Sequence, residues 1–345
     1  MTAVLDLSSG LDPVKESVLL AKPDVEHWAE NLLFALHDPT HDIGMWLHLG
    51  TMPNLWHLWE DRVLISLPGD AGILTSRSYT ATPPEQRPGA GNLFFECLEP
   101  FRRWRIRSEA VGRVTPYEDM RTSMEQDGMR QHFAVDLEVT CRTPVWDLHT
   151  AASSGTAKGT MREQSWASDH YEQLYTVTGT VTLPTGEVQF DGTGWRDHSR
   201  GPRGANTGKP WGGHVIMGAY LPGSDRGIGL CRYYTPDGGV SLEGAYVSQA
   251  GVMHHAEVLD APLLGELVKS GEALRFGLRS DLGDLTIDAE TTTSIWSMLK
   301  RSRQYYGIDP TGSLGSRYAL NWARFELDGE VGHLYVERSD CPPPE

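Results

Sequence analysis

Basic residues are scarce in this chain. It has 30 Lys and Arg against 46 Asp and Glu, for a formal net charge of −16 over 345 residues. Such a surface repels phosphate backbones and anionic membranes, so nucleic acid is not an expected partner. Cysteine is also scarce: Cys97, Cys141, Cys231 and Cys341 stand far apart with no C-x-x-C, which argues against a zinc knuckle or a disulfide framework and for free thiols. No run approaches the length of an apolar membrane span, and the first residues lack a basic segment followed by an apolar one. The expectation is a soluble, cytoplasmic protein without membrane insertion. The G-x-S-x-G elbow, H-E-x-x-H and the P-loop are all missing, which removes the usual signatures of serine hydrolases, zincins and NTPases. G-T-G-W-R-D opens no helix within a βαβ unit, so it is not a dinucleotide fingerprint.

Aromatic residues, by contrast, are plentiful, with 11 Trp and 12 Tyr. They suit half-buried sheet faces and amphipathic pockets, because their polar tips need partners. Strand signals dominate. Residues 132–142 alternate Phe133, Val135, Leu137, Val139 and Cys141 against Ala134, Asp136, Glu138 and Thr140, a period of two. Further short strands follow at 8 to 12 residue spacing with Gly, Pro and Asp turns, arguing for barrels or sandwiches. One helix is expected early: Val25, Trp28, Leu32, Leu33 and Leu36 recur at helical spacing behind Asp24. The expected organisation is a lead-in over 1–23, a first β domain over 24–190, a second over 191–340, and a tail over 341–345.

The organising stretch is Asp191 to Arg203, D-G-T-G-W-R-D-H-S-R-G-P-R, where Asp197 lies between Arg196 and His198. A carboxylate between a guanidinium and an imidazole has neighbours able to set its protonation; an ion-paired connection between sheets is the plainer alternative. Upstream, D-H-Y-E-Q-L-Y reads as a strand that puts His170 and Glu172 on one face, with Tyr171 and Gln173 on the other. His37, His41, His48 and His57 are interleaved with Asp38, Asp42 and tryptophans, but they do not share a helix face that would align metal ligands. They read instead as polar tips of aromatic strands, with His48 free to point into a cavity. No metal or other cofactor is expected.

H-Y-E-Q at His170–Gln173 and G-T-G-W-R-D-H-S-R-G-P-R at Gly192–Arg203, in that order and at that separation, resemble the AttH/CrtC-like family, which includes carotenoid 1,2-hydratase. Arg200 departs from the family pattern, which has Trp there. The resemblance implies a mainly β fold of two consecutive lipocalin-like antiparallel barrels holding a hydrophobic small molecule. It also implies chemistry without a redox cofactor: hydration of isoprenoid double bonds or, in fungal relatives, cyclisation. The expected function is therefore a hydratase or dehydratase acting on a C=C bond of a terpenoid-like substrate, with a carrier or sensor and an intramolecular cyclase or pericyclase as alternatives. Asp197 and Glu172 are the candidate acids, located at the seam of the barrels and facing an apolar hollow. His198 or His170 would hold the water. Tyr171, Trp195, Trp211 and Trp46 would line the pocket, with Arg196 and His48 contacting the ligand.

Overall fold

The computed structural model describes residues 5–53, 55–121, 128–164, 166–203, 211–300 and 314–340. The first sheet comprises β1 (Trp28–Asp38), β2 (Ile43–Met52), β3 (Leu55–Ser66), β4 (Ile73–Ala81), β5 (Leu93–Glu99), β6 (Arg103–Thr115), β7 (Met129–Cys141), β8 (Trp146–Asp147), β9 (Asp169–Leu183) and β10 (Gly186–Pro202). Its order is β10-β1-β2-β3-β4-β6-β7-β9-β8, and β10 also pairs with β9, so the sheet returns on itself. The second contains β11 (Gly213–Leu221), β12 (Arg226–Tyr234), β13 (Val240–Gln249), β14 (Val252–Asp260), β15 (Ala273–Ser280), β16 (Gly283–Lys300), β17 (Leu314–Leu327) and β18 (Glu330–Asp340). These strands close a barrel in chain order. Each therefore pairs with its sequence neighbour, the outcome that short turns favour. The fold is mainly β, as the strand spacing predicts, and its paired barrels are those the family resemblance implies.

Three cores hold it together. One fills the first barrel (Phe34, Trp104, Phe133, Tyr175) and one fills the second (Met217, Phe276, Phe325). The third joins residues from both (Trp46, Trp195, Tyr233, Trp296, Trp322, Tyr335) and forms the seam between the barrels. A strand bordering this seam is buried on both faces.

That double burial explains where the helix expectation failed. Residues 25–36 are not helical; from Trp28 onward they lie in β1, whose side chains are buried almost throughout. Leu32, Phe34 and Leu36 enter the first barrel's core, while Leu33 and Ala35 enter the seam. A strand covered on both sides loses its polar alternation and reads as a continuous apolar run. Among the described residues, the α-helix is Leu148–Ser153, capped by the Asp147 carboxylate accepting from the His149 and Thr150 amides. No helix among them is long and apolar enough to cross a membrane.

Two other boundaries shift. The expected domain limit at residue 190 falls inside β10, which pairs with β1 over Thr193–Pro202, so the first sheet runs on to Pro202. Part of the lead-in is built into the first barrel: Leu7, Glu16 and Val18 are buried, with Leu7 and Val18 in its core.

The glycines of G-T-G are explained by close approach. A Cβ on Gly192 would lie 2.0 Å from the His37 carbonyl oxygen, and one on Gly194 would lie 2.3 Å from that of Ala35. Gly194→Ala is expected to cost about 1–3 kcal/mol through overpacking of β10 against β1, read as a lowered denaturation midpoint.

Candidate active site

Alternation along β9 and β10 sorts the motif residues onto two faces. Leu174 and Trp195 belong to the seam core, and His170, Glu172 and Asp197 share their parity. Tyr171 and Tyr175 belong to the first barrel's core, and Arg196 and His198 share theirs. β9 and β10 pair with Glu172 directly opposite Asp197. The short cross-strand spacing brings the two carboxyl groups together on one face.

On that face Glu172 is fully buried and doubly bonded: His170 Nε2 lies 3.0 Å from Oε1, and Trp195 Nε1 donates to Oε2 at 2.9 Å. The other imidazole nitrogen, His170 Nδ1, points towards Asp197 Oδ2 at 3.7 Å and makes no hydrogen bond. Burial pulls the His170 pKa down, but the hydrogen bond to Glu172 and the Asp197 carboxyl outweigh it, leaving the imidazole above its ordinary value. Asp197 behaves oppositely. Burial pushes its carboxyl up, the charge on His170 lowers it, and Glu172 and Glu337 raise it further, to about 7. Its side chain is 13% exposed, whereas those of His170 and Glu172 are sealed. This group therefore carries a proton at mildly acidic pH.

The second barrel supplies the opposite wall. Glu337 on β18 meets His214 Nε2 at 2.9 Å, accepts from Tyr335 Oη at 2.5 Å and from Trp46 Nε1 at 3.2 Å. Burial raises this carboxyl, but those hydrogen bonds and the His214 charge hold it below the ordinary glutamate range. Aromatic rings surround the group. Trp166 stacks on Tyr233 at 4.5 Å and meets the His170 ring edge-on at 5.3 Å. Trp195 stacks on Tyr335 at 5.6 Å, and Trp211 lies 5.8 Å from His214. Trp46 stacks on His48 at 5.3 Å. Burial and the charges of Arg62, Arg203 and Arg77 hold the His48 imidazole well below its ordinary value.

The structure thus brings together Asp197, Glu172, His170, Trp195, Trp211, Trp46 and His48 of the residues picked out from sequence. Tyr171, Arg196 and His198 lie elsewhere, inside the first barrel. Arg196 Nη2 donates to both Glu16 oxygens at 2.9 and 2.8 Å. His198 is held between Glu30 Oε1 at 2.7 Å and the Tyr171 hydroxyl at 2.6 Å. Next to Asp197 in sequence, these residues are turned to the opposite face by the strand's period of two. His198 is therefore not placed to hold water beside Asp197. Sequence reasoning missed Glu337, His214, Tyr233, Tyr335 and Trp166; only the alternation of β11, β12 and β18 hinted at their facing, and nothing local tied them to β9.

A hollow of about 1070 Å3 in the first barrel is not lined by Asp197. It opens along the first barrel past Phe94, Cys97, Trp104 and Val135. Asp197 shares its face of β10 with Trp195 of the aromatic seam.

Solved structures share this architecture. An AttH candidate from Nitrosomonas europaea overlays with TM-score 0.58 at 14% identity, covering 92% of this chain and 93% of the other. CghA with Sch210972 overlays with TM-score 0.52 at 11% identity, covering 99% and 98%. Kievitone hydratase from Nectria haematococca gives TM-score 0.47 at 8% identity, covering 91% and 89%. At these identities the likeness is one of fold, and the fold is that of the AttH-like proteins. No curated protein matches the chain in sequence. A family model described as a domain of unknown function (DUF7064) matches residues 19–342, and the chain belongs to that family.

Proposed function

We propose that this protein is a hydratase, or the reverse dehydratase, acting on a C=C bond of a hydrophobic, terpenoid-like small molecule. The observation that carries this reading is the Asp197 carboxyl at the seam, its pKa raised by burial to about 7, with a buried His170–Glu172 pair behind it. CghA, of the same fold, was crystallised with Sch210972, which supports a bound small molecule.

In the proposed reaction the Asp197 hydroxyl gives its proton to one alkene carbon, whose π electrons form the new C–H bond. The neighbouring carbon becomes a cation. Faces of Tyr233, Tyr335 and Trp166 and the charges of Glu172 and Glu337 oppose its positive charge. Water then adds through an oxygen lone pair to form the C–O bond, and its surplus proton returns to the Asp197 carboxylate. Atoms and electrons balance with water as co-reactant, and no oxidant or reductant is needed. His170 is a positioning residue: its charge stabilises the Asp197 carboxylate formed in the first step, and Glu172 keeps that imidazole charged and oriented. The test is to incubate the purified protein with terpenoid alkenes and their tertiary alcohols and extract. A product differing by the mass of one water supports the reading. Stoichiometric recovery of unchanged ligand refutes it in favour of carriage, and a product of unchanged mass but altered retention refutes it in favour of cyclisation.

The pH dependence follows from the sign of the shift. An acid raised to about 7 carries its proton below that value and loses it above, so turnover is expected to fall as pH rises through about 7. A rate that instead rises through that range would make the ionised carboxylate the working form.

A further inference from the structure

Behind the aromatic wall of the acid site, His37 of the first barrel and Trp322 of the second are 3% and 1% exposed. Both His37 ring nitrogens and Trp322 Nε1 are buried without a hydrogen-bond partner among the described residues. Buried polar groups are nearly always paired, with protein or with ordered water, so three orphans in one place call for a partner. That place is a small hollow, lined from the first barrel by His37 and Thr193 and from the second by Trp322, His333 and Tyr335.

Strand register explains how the two rings meet. Across β1 and β2 His37 lies opposite Gly44, and a Cβ on Gly44 would come within 2.5 Å of the Trp322 ring. The glycine lets the indole lie against β2, where it stacks on His37 at 6.1 Å. Stacked rings cannot bond each other directly, because each N–H lies in the plane of its own ring and would meet its neighbour far from a straight line.

The chemistry of the orphans selects the ligand. The indole nitrogen only donates. Burial and the charge of His333 hold His37 down to about 3, so its ring is neutral, with one donor and one acceptor nitrogen. A metal ion cannot accept from the indole, and an anion has no proton for the acceptor nitrogen; water does both. The hollow leaves about 10 Å3 for the centre of a water, which one molecule fills.

We propose that this hollow binds one internal water, which accepts from Trp322 Nε1, donates to the acceptor nitrogen of His37 and so joins the two barrels. The water backs Tyr335, which lines the same hollow, stacks on Trp195 and donates to Glu337. The inference stands whether or not Asp197 performs the proposed reaction.

Nuclear magnetic resonance on the isotope-labelled full chain tests this through the Trp322 indole proton, identified by its loss in Trp322→Phe. A rotating-frame cross-peak between water and that proton is expected, of the sign that dipolar contact gives and proton exchange does not. Urea denaturation supplies a second readout. His37→Phe and Trp322→Phe each keep a ring and remove one end of the water bridge, and each is expected to lower the folding equilibrium constant about tenfold. The double variant is expected to lose no more than about tenfold, where independent losses would give about a hundredfold. Absence of the cross-peak in the parent, single variants without effect, or losses that multiply in the double variant would each overturn the proposal.

Discussion

Asp197→Asn is expected to lower turnover by roughly 10²–10⁴-fold, the range associated with removing a positioned general acid, while the protein remains folded. The amide keeps the shape of the side chain but has no acidic proton to give. Stability is expected to move the other way. Burial raises the native carboxyl to about 7, so its protonated form suits the fold and its charged form does not. The stability it contributes is present below the unfolded aspartate value and is lost as pH rises through about 7. Above that pH the asparagine variant is expected to be at least as stable as the parent, a separation of activity from stability common at working sites. Circular dichroism melts at pH 8, run beside the turnover assay, read both. A variant that keeps full turnover would remove Asp197 from the chemistry. Glu172→Gln acts one step further back. By weakening the hold on His170 it is expected to lower that imidazole's pKa and displace the pH profile along with the loss in rate, a signature that mere structural damage does not produce.

The largest effect on stability is expected from Glu16→Ala. This carboxylate enters the first barrel from the lead-in and accepts from Arg196 Nη2 at 2.8 Å, the Tyr171 hydroxyl at 2.7 Å, the Phe101 amide at 3.0 Å and Trp104 Nε1 at 3.1 Å. Burial raises its pKa, but the Arg196 charge and hydrogen bond more than offset this and hold it below the ordinary glutamate range. Its contribution is therefore intact at neutral pH and is lost only as pH falls through that depressed value. Removing it strands the Arg196 guanidinium inside the barrel, at a cost of about 3–5 kcal/mol for a broken buried pair. Urea denaturation would read this as a lowered midpoint. An unchanged midpoint would mean that water reaches Arg196, and that the lead-in is no part of the barrel's core.

Local alternation carried most of what was legible in the sequence. The period of two in His132–Arg142 and Asp169–Leu183 placed strands and separated Glu172 from Tyr171, and the order of H-Y-E-Q and R-D-H-S led to the AttH-like fold. Where a strand is covered on both sides the same signal vanishes, and β1 was read as a helix for that reason. Neighbours in sequence also misled: Arg196 and His198 flank Asp197, yet the pleat turns them to Glu16 and Glu30. The carboxylates that answer them, and Glu337 across the seam, are brought close by barrel closure, and contacts of that kind leave no local pattern to read.

The central claim is that Asp197 carries a proton near neutral pH beside a charged imidazole. It is tested most directly by infrared difference spectroscopy of the parent against Asp197→Asn across a pH titration. The account predicts a protonated-carboxyl C=O stretch, missing from the variant, that titrates with a midpoint near 7. A parent spectrum in which that band is already gone at pH 5 would contradict it.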